Sequence, residues 1–471
     1  MNQTPLLGQI RVYSEALVDD LPDITTVSNP NLAARPEPGP RRGPWVGVTT
    51  AVATLAFIGL IPFLIDGESE TVDTIAPTTV PPFTAELAGP QDVWSRVAHD
   101  DAVFGGDDRA IGWASFTGQQ MVSVTVGGPG LVAVGSDKLD AAVWTSVDGI
   151  TWTRVPHDDA VFGGATMGSV TVGGPGLVAV GPGQVESGGD AAVWTSVDGF
   201  TWTRVPHDDA VFGEARMNSV TAGGPGLVAV GTGNGEEAAV WVSVDGLAWA
   251  RVPHDETVFG GATTMVSVTV GGPGLVAVGW DSLDYHLDLI QAGAAVWTSV
   301  DGITWARVPH DEAVFGGGVD PVLSLTMVSV TSGGPGLVAV GSELFGRRGA
   351  VWTSVDGITW TRVADGATFS GPMMSVTSRG SGLVAVGSDA EVWTSPDGIT
   401  WTHVAGTGGQ TIGSLDPRCF ATNCPPYPDD AEVSHTMLSV TVGGPGLVAV
   451  GTVEKASYQQ DAAVWNATSG N

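Results

Sequence analysis

The apolar residues of this chain fall in short β-branched runs, broken by Gly, Pro and Asp. Four runs recur in fixed order. The first is Ser-Val-Thr-Val or a variant, starting at Ser123, Ser169, Ser219, Ser267, Ser329, Ser375 and Ser439. The second is Leu-Val-Ala-Val-Gly, starting at Leu131, Leu177, Leu227, Leu275, Leu337, Leu383 and Leu447. The third centres on Trp144, Trp194, Trp241, Trp297, Trp352, Trp393 and Trp465. The fourth centres on Trp152, Trp202, Trp249, Trp305, Trp360 and Trp401. Runs of this length and residue type, bounded by turn formers, predict strands, here a, b, c and d. Gly-Gly-Pro-Gly joins a to b, and Ser-Val-Asp-Gly joins c to d. In the second turn the Asp can accept backbone N–H bonds and the Gly supplies a left-handed residue. Each repeat is therefore a four-stranded antiparallel meander. Its strands are apolar on both faces, as expected of a sheet sandwiched between neighbours.

The first three runs occur seven times and the fourth six times. The missing fourth run stands ahead of the array: Asp92–Val97, DVWSRV, aligns with ITWTRV, with Trp94, Arg96 and Val97 in register. The last repeat supplies strand c and the N-terminal run supplies strand d. Pairing them closes a ring and leaves no repeat uncapped. The expectation is an all-β fold: a seven-bladed β-propeller of four-stranded antiparallel blades over residues 91–471. A straight β-solenoid gives no reason for complementary half-repeats.

The turn SVDGITW resembles the Asp-box (BNR repeat), the S-x-D-x-G-x-T-W hairpin of sialidase-type propellers, one residue shorter between Asp and Trp. Copies run Ser146–Trp152, Ser196–Trp202, Ser299–Trp305, Ser354–Trp360 and Ser395–Trp401, with a degenerate one at Ser243–Trp249. The resemblance covers about 380 residues and implies a propeller in which the box braces the face opposite the active site. Sialidase activity would require an arginine cluster, a nucleophilic Tyr with a Glu partner and an acidic residue. The arginine motif near the start of that family is absent. Arg96, Arg154, Arg204, Arg251, Arg307 and Arg362 sit in the repeated outer strand.

Ahead of the array, Trp45–Ile65 holds 21 residues without a charge. That suffices for a membrane-spanning helix. Arg35, Arg41 and Arg42 precede it, and Asp66, Glu68 and Glu70 follow. The positive-inside bias then places residues 1–44 in the cytoplasm as a tail, and the propeller outside the cell. A cleaved signal peptide fits less well, because no small-residue cleavage site follows. The expectation is an uncleaved, single-pass signal anchor, with residues 66–90 as a Pro/Thr-rich stalk. The stretch with Ile10, Tyr13, Leu17 and Leu21 near helical spacing is a candidate docking helix for a cytoplasmic partner, or a weakly ordered tail.

Composition adds a strongly acidic balance. Fifty Asp and Glu face 18 Lys and Arg, a formal net charge of −32. Such a field repels nucleic acid and anionic headgroups. The two cysteines, Cys419 and Cys424, have the spacing of a small disulfide-closed loop in an exported segment.

The a–b and c–d turns keep one length in every repeat, and all insertions fall in b–c and d–a connections. Among them are Trp280–Gly293, Pro182–Asp190, Ser342–Gly349, Thr452–Asp461, Asp107–Gln120, Gly316–Thr326 and Ala405–Thr436. Specificity is expected on that face. Its candidate ligand-binding residues are Trp113, Trp280, Tyr285, Arg347, Arg348, Arg418 and Tyr427. The two tryptophans can stack on a sugar or fill a loop core. No catalytic residue is assigned. Five His-carboxylate triplets, beginning at His99, His157, His207, His254 and His310, follow fourth strands. Ca²⁺ or Zn²⁺ could occupy them, but the repetition fits an architectural turn better, with the following Phe plugging between blades. The expected function is a membrane-anchored extracellular recognition module for a glycan, peptide or protein ligand. The alternative is a sialidase-like or other glycoside hydrolase.

Overall fold

A computed structural model describes residues 92–468, save 106–117, 184–188, 234–236, 285–290, 317–323, 344–347, 364–368, 405–431 and 456–458. It contains seven four-stranded antiparallel sheets. Six are consecutive meanders, with inner strands Gln119–Gly127, Ser169–Gly173, Arg216–Gly223, Ala262–Gly271, Leu325–Gly333 and Met373–Arg379. The seventh is composite. Glu432–Gly443, Gly446–Lys455 and Gln460–Thr468 supply strands a to c, and Val93–Arg96 supplies strand d. The closing register is Val93↔Thr468, Trp94↔Ala467, Ser95↔Asn466 and Arg96↔Trp465. Inner strands touch in cyclic order, the seventh against the first. The ring is therefore closed as the half-repeats require.

The repeated residues explain the stacking. Each serine that opens strand a accepts a hydrogen bond from the valine N–H of the next blade's strand a. The circle runs Ser123–Val170, Ser169–Val220, Ser219–Val268, Ser267–Val330, Ser329–Val376, Ser375–Val440 and Ser439–Val124. In six blades a register shift lies immediately before this serine. Strands b and c are buried almost throughout, and the strand c tryptophans are fully buried. Each apolar cluster draws residues from two adjacent blades, so burial itself drives blade against blade. Arg154, Arg204, Arg251 and Arg307 of strand d lie over those tryptophans at 5.5–5.7 Å. Such cation–π contacts are worth about 0.5–2 kcal/mol each. The repeated arginine is thus part of the scaffold.

The His-carboxylate triplets open five one-turn helices: α1 (Asp101–Phe104), α2 (Asp159–Phe162), α3 (Asp209–Phe212), α4 (Glu256–Phe259) and α5 (Glu312–Phe315). The first carboxylate of each triplet, Asp100, Asp158, Asp208, Asp255 or Asp311, is the N-cap, accepting from the N–H two residues on at 2.9–3.0 Å. The Phe is buried between blades. The valine before it offers its carbonyl to the next blade's strand c tryptophan Nε1 at 2.7–2.8 Å. The d–a connection therefore fastens each blade to the next.

The c–d turns behave as their residues demand. Asp148 Oδ1 accepts from the N–H groups of Ile150 and Thr151, Ser146 Oγ from Gly149 N–H, and Gly149 adopts φ 75°. The neighbouring a–b turn fits against this hairpin. A Cβ added at Gly199 would lie 3.0 Å from Pro129 Cδ of the preceding blade, and one at Gly128 would lie 2.9 Å from Asp198 O. The same contact recurs at six of the seven junctions. At the seventh, blade 7 has no c–d turn, because its strand d comes from the N-terminal side of the array. There alone Gly-Gly-Pro-Gly becomes Arg379-Gly380-Ser381-Gly382. Arg379 fills the vacated place and pairs with Asp92 at 2.5 Å, with both side chains at most 4% exposed. Burial pushes the Asp92 carboxyl above its usual value, against the pull of Arg379.

The Asp-box carboxylates titrate low. The hydrogen bonds from Thr304 N–H and Ile303 N–H bring Asp301 down to about 2, and Asp148, Asp198, Asp245, Asp356 and Asp397 shift the same way. An unfolded Asp titrates near 3.9. The unfolded chain therefore binds more protons in this window, and stability must fall as pH drops from about 4 to 2. A melting series across that range should show it, with Asp301→Asn losing part of the dependence.

Candidate functional site

The face bearing the a–b and c–d turns is uniform except at the blade 6–blade 7 junction. The opposite, upper face is built from b–c and d–a connections, and there the strands outrun the repeat. In blade 4, Gly274–Asp284 and Gln291–Ser299 continue upward to Asp284↔Gln291, with a register shift between Ser282 and Asp284. In blade 7, strands b and c continue to Glu454↔Gln460. Much of what the sequence marks as loops at Trp280–Gly293 and Thr452–Asp461 is therefore hairpin. Ladder pairing satisfies backbone groups that an irregular loop would have to expose.

Acidic side chains at the upper ends of strands a and b engage the strand d arginines of their own blades. Arg154 Nη2 lies 2.8 Å from Asp137, Arg96 Nη1 lies 2.7 Å from Glu432, Arg307 pairs with Asp281, and Arg362 with Glu343. Glu432 also meets His435 Nε2 at 2.9 Å. Burial pushes the Glu432 carboxyl up, but Arg96 and His435 outweigh it, and the carboxyl titrates below its usual value. These side chains hold the rim in place.

A second pattern escaped the repeat comparison. In four successive blades a histidine stands between two carboxylates. His99 lies 3.6 Å from Asp461 and 2.9 Å from Asp101, and His157 lies 3.8 Å from Asp140 and 2.8 Å from Asp159. His207 lies 3.6 Å from Asp190 and 2.8 Å from Asp209, and His254 lies 3.5 Å from Glu237 and 3.2 Å from Glu256. The additional acid is the residue four before the strand c tryptophan; Gly293 takes its place in blade 4. That position was the available signal. The donor atoms of Asp140, His157 and Asp159, and of Glu237, His254 and Glu256, lie within 4.8 Å of one another. A His with two carboxylates is a donor set that divalent ions accept, and an acidic rim also attracts cationic groups.

Of the candidate binding residues, two are described. Trp280 is half-buried on blade 4, paired across the hairpin with Ala294 and on its other side with Thr264. Arg348 opens strand c of the adjacent blade 5, its Nη1 3.5 Å from Glu343. Glu343 thus faces two guanidiniums, those of Arg348 and Arg362. Trp113, Tyr285, Arg347, Arg418 and Tyr427 lie outside the described residues, as do Cys419 and Cys424. So do the tail 1–44, the apolar segment 45–65 and the stalk 66–90. Among the described residues no helix is long and apolar enough to cross a membrane.

No protein-family profile matches the chain, and no curated protein does. Solved structures do. YCF48 from Cyanidioschyzon merolae is 13% identical, covers 79% of this chain and 97% of its own, and has a TM-score of 0.43. An α-L-arabinanase from Penicillium chrysogenum is 13% identical over 80% of this chain and 98% of its own, with a TM-score of 0.41. The Trypanosoma rangeli sialidase is 14% identical over 79% of this chain and 59% of its own, with a TM-score of 0.39. At such scores the likeness carries no functional argument.

Proposed function

We propose that the chain is a single-pass, membrane-anchored binding module whose propeller lies outside the cell and recognises a glycan, peptide or protein ligand through its upper face. The observation that carries this reading is the division of variation between faces. Lower-face turns keep one length in every blade that has them, while upper-face connections differ from blade to blade in length, strand extension and charge. Variation confined to one end of a rigid ring marks the end that meets a ligand. Trp280 and Arg348, on adjacent blades, supply an aromatic surface and a cation there. Trp113, Tyr285, Arg347, Arg418 and Tyr427 belong to connections of the same face.

The His-carboxylate groups are, in this reading, helix caps and rim contacts rather than metal centres. A disulfide between Cys419 and Cys424 tightens the d–a connection that holds them. The anchor rests on the uncharged span 45–65 and its flanking charges.

The test is a glycan and peptide array probed with the detergent-solubilised full chain, with and without EDTA. A second protein carries the blade 4 hairpin, residues 281–292, replaced by the short b–c turn of blade 1. Discrete hits that survive EDTA and disappear in the shortened protein, with melting unchanged, are expected. Hits retained by the shortened protein would move the site elsewhere. Turnover of a fluorogenic sialoside would overturn the reading in favour of a hydrolase.

A further inference from the structure

The lower face carries a feature that recognition does not use. Among the described residues, the exposed large hydrophobic side chains gather there, with Leu139 of an upper turn the exception. The Asp-box hairpins end in Ile150, Phe200, Leu247, Ile303, Ile358 and Ile399, 50–57% exposed. Val147 and its counterparts in blades 2 to 5 stand beside them, 71–77% exposed. Val126, Val172 and Val270 add an inner arc beside the axis. These side chains are not needed to form the turn, whose hydrogen bonds come from Ser, Asp and the backbone. Polar residues at the same positions would serve as well, so an apolar ring of this extent calls for a partner.

Two observations identify it. The blades repeat around one axis, so their hairpin tips stand at one level and outline a plane. A partner that presents the same chemistry to every blade fits such an annulus, and a lipid surface does. The chain also enters the propeller on this face: Asp92, paired with Arg379 of an a–b turn, opens the closing strand. The uncharged span 45–65 ends 27 residues upstream of it. We propose that the lower face docks on the surface of the bilayer that holds the anchor, with the Ile and Val tips reaching into the headgroup–acyl boundary. The upper face then points away from the membrane. The inference rests on the membrane anchor proposed above. Among the described residues the exposed charges of the lower face are the Asp-box carboxylates, with no exposed cation among them. The favoured surface is therefore zwitterionic, and anionic lipid weakens docking.

The test uses the full chain in phosphatidylcholine vesicles, with Cys419 and Cys424 replaced by serine. A polarity-sensitive fluorophore is placed at Val197→Cys or Val300→Cys on the lower face, or at Asp209→Cys on the upper. Lipid-borne spin quenchers should reduce lower-face emission at least about two-fold and leave the upper label nearly unchanged, as insertion at the interface requires. The reduction should diminish when anionic lipid is added. Retention of the chain on vesicles after alkaline wash reports the anchor separately. A retained chain with unquenched lower labels overturns the docking and leaves the anchor standing. A chain lost in the wash with unquenched labels overturns both. Labels shielded from an aqueous quencher but untouched by the lipid-borne one would assign the face to a protein partner and also overturn the proposal.

Discussion

Arg379→Ala is expected to destabilise the propeller by about 3–5 kcal/mol at pH 7, the range for breaking a buried ion pair by removing one partner. The pair is a poor source of net stability, since burying two charges costs about what their attraction returns. Removing one side chain is another matter, because Asp92 is left buried beside the space the guanidinium filled. That carboxyl already sits above its usual value, with only Arg379 pulling it down. Without Arg379 it takes up a proton more readily. A carboxyl whose folded value is raised contributes stability at low pH and loses it as pH rises through that value. The deficit of the variant should therefore shrink as pH is lowered from 7 toward 5, above the window in which the unfolded chain's Asp residues take up protons. Urea midpoints across that range check the claim. Adding Asp92→Ala to Arg379→Ala should recover part of the loss, because no charge is then left unpaired. An Arg379→Ala protein as stable as the parent would show that the blade 6–blade 7 junction is held by other contacts.

Trp194→Ala is expected to cost about 3–5 kcal/mol, the range for deleting a fully buried large aromatic side chain. The indole is fully buried between blades 1 and 2. Its Nε1 donates to Val161 O at 2.7 Å, and Arg204 lies 5.5 Å above the ring. Trp194→Phe separates these parts. Most of the packing and a weaker contact with the guanidinium survive, while the Val161 carbonyl loses its donor, for about 1–3 kcal/mol. In a closed ring the loss should not stay in one blade, since each apolar cluster is shared by two. Calorimetry should therefore show one transition shifted to lower temperature. A separate early transition for one or two blades would mean that the ring is a chain of weakly coupled units.

The fold was legible because a repeat carries its own alignment. Trp94 and Arg96 could be matched to six other copies, and the match placed a strand against a partner some 370 residues away. The His-carboxylate triplets were legible as architecture for the same reason, although the short helix they cap was not distinguished from a turn. Features outside the period were harder to see. Arg379 shows in the sequence only as the loss of a Gly-Gly-Pro-Gly turn. Its meaning depends on knowing that this turn faces the one blade without an Asp-box, and Asp92 is 287 residues away. The acid opposite each histidine stands at a fixed place, four residues before the strand c tryptophan, but only the folded blade brings that place against the histidine. The apolar tips of the c–d turns were read as parts of a motif, one copy at a time. Only the ring turns them into a surface. The upper connections have no second copy to align with, so Trp113, Tyr285, Arg347, Arg418 and Tyr427 could be assigned to a face and no further.

The closure of the ring is most directly tested by hydrogen exchange on the full chain, read by mass spectrometry over Val93–Val97 and Gln460–Thr468. Trp94 to Val97 lie along strand c of blade 7, and Val97 N–H donates to Val464 O at 2.9 Å. The account predicts that the two segments are protected to a similar degree and lose protection together as urea is added. Exchange of Val93–Val97 at the rate of an unstructured chain, while Gln460–Thr468 stays protected, would contradict it.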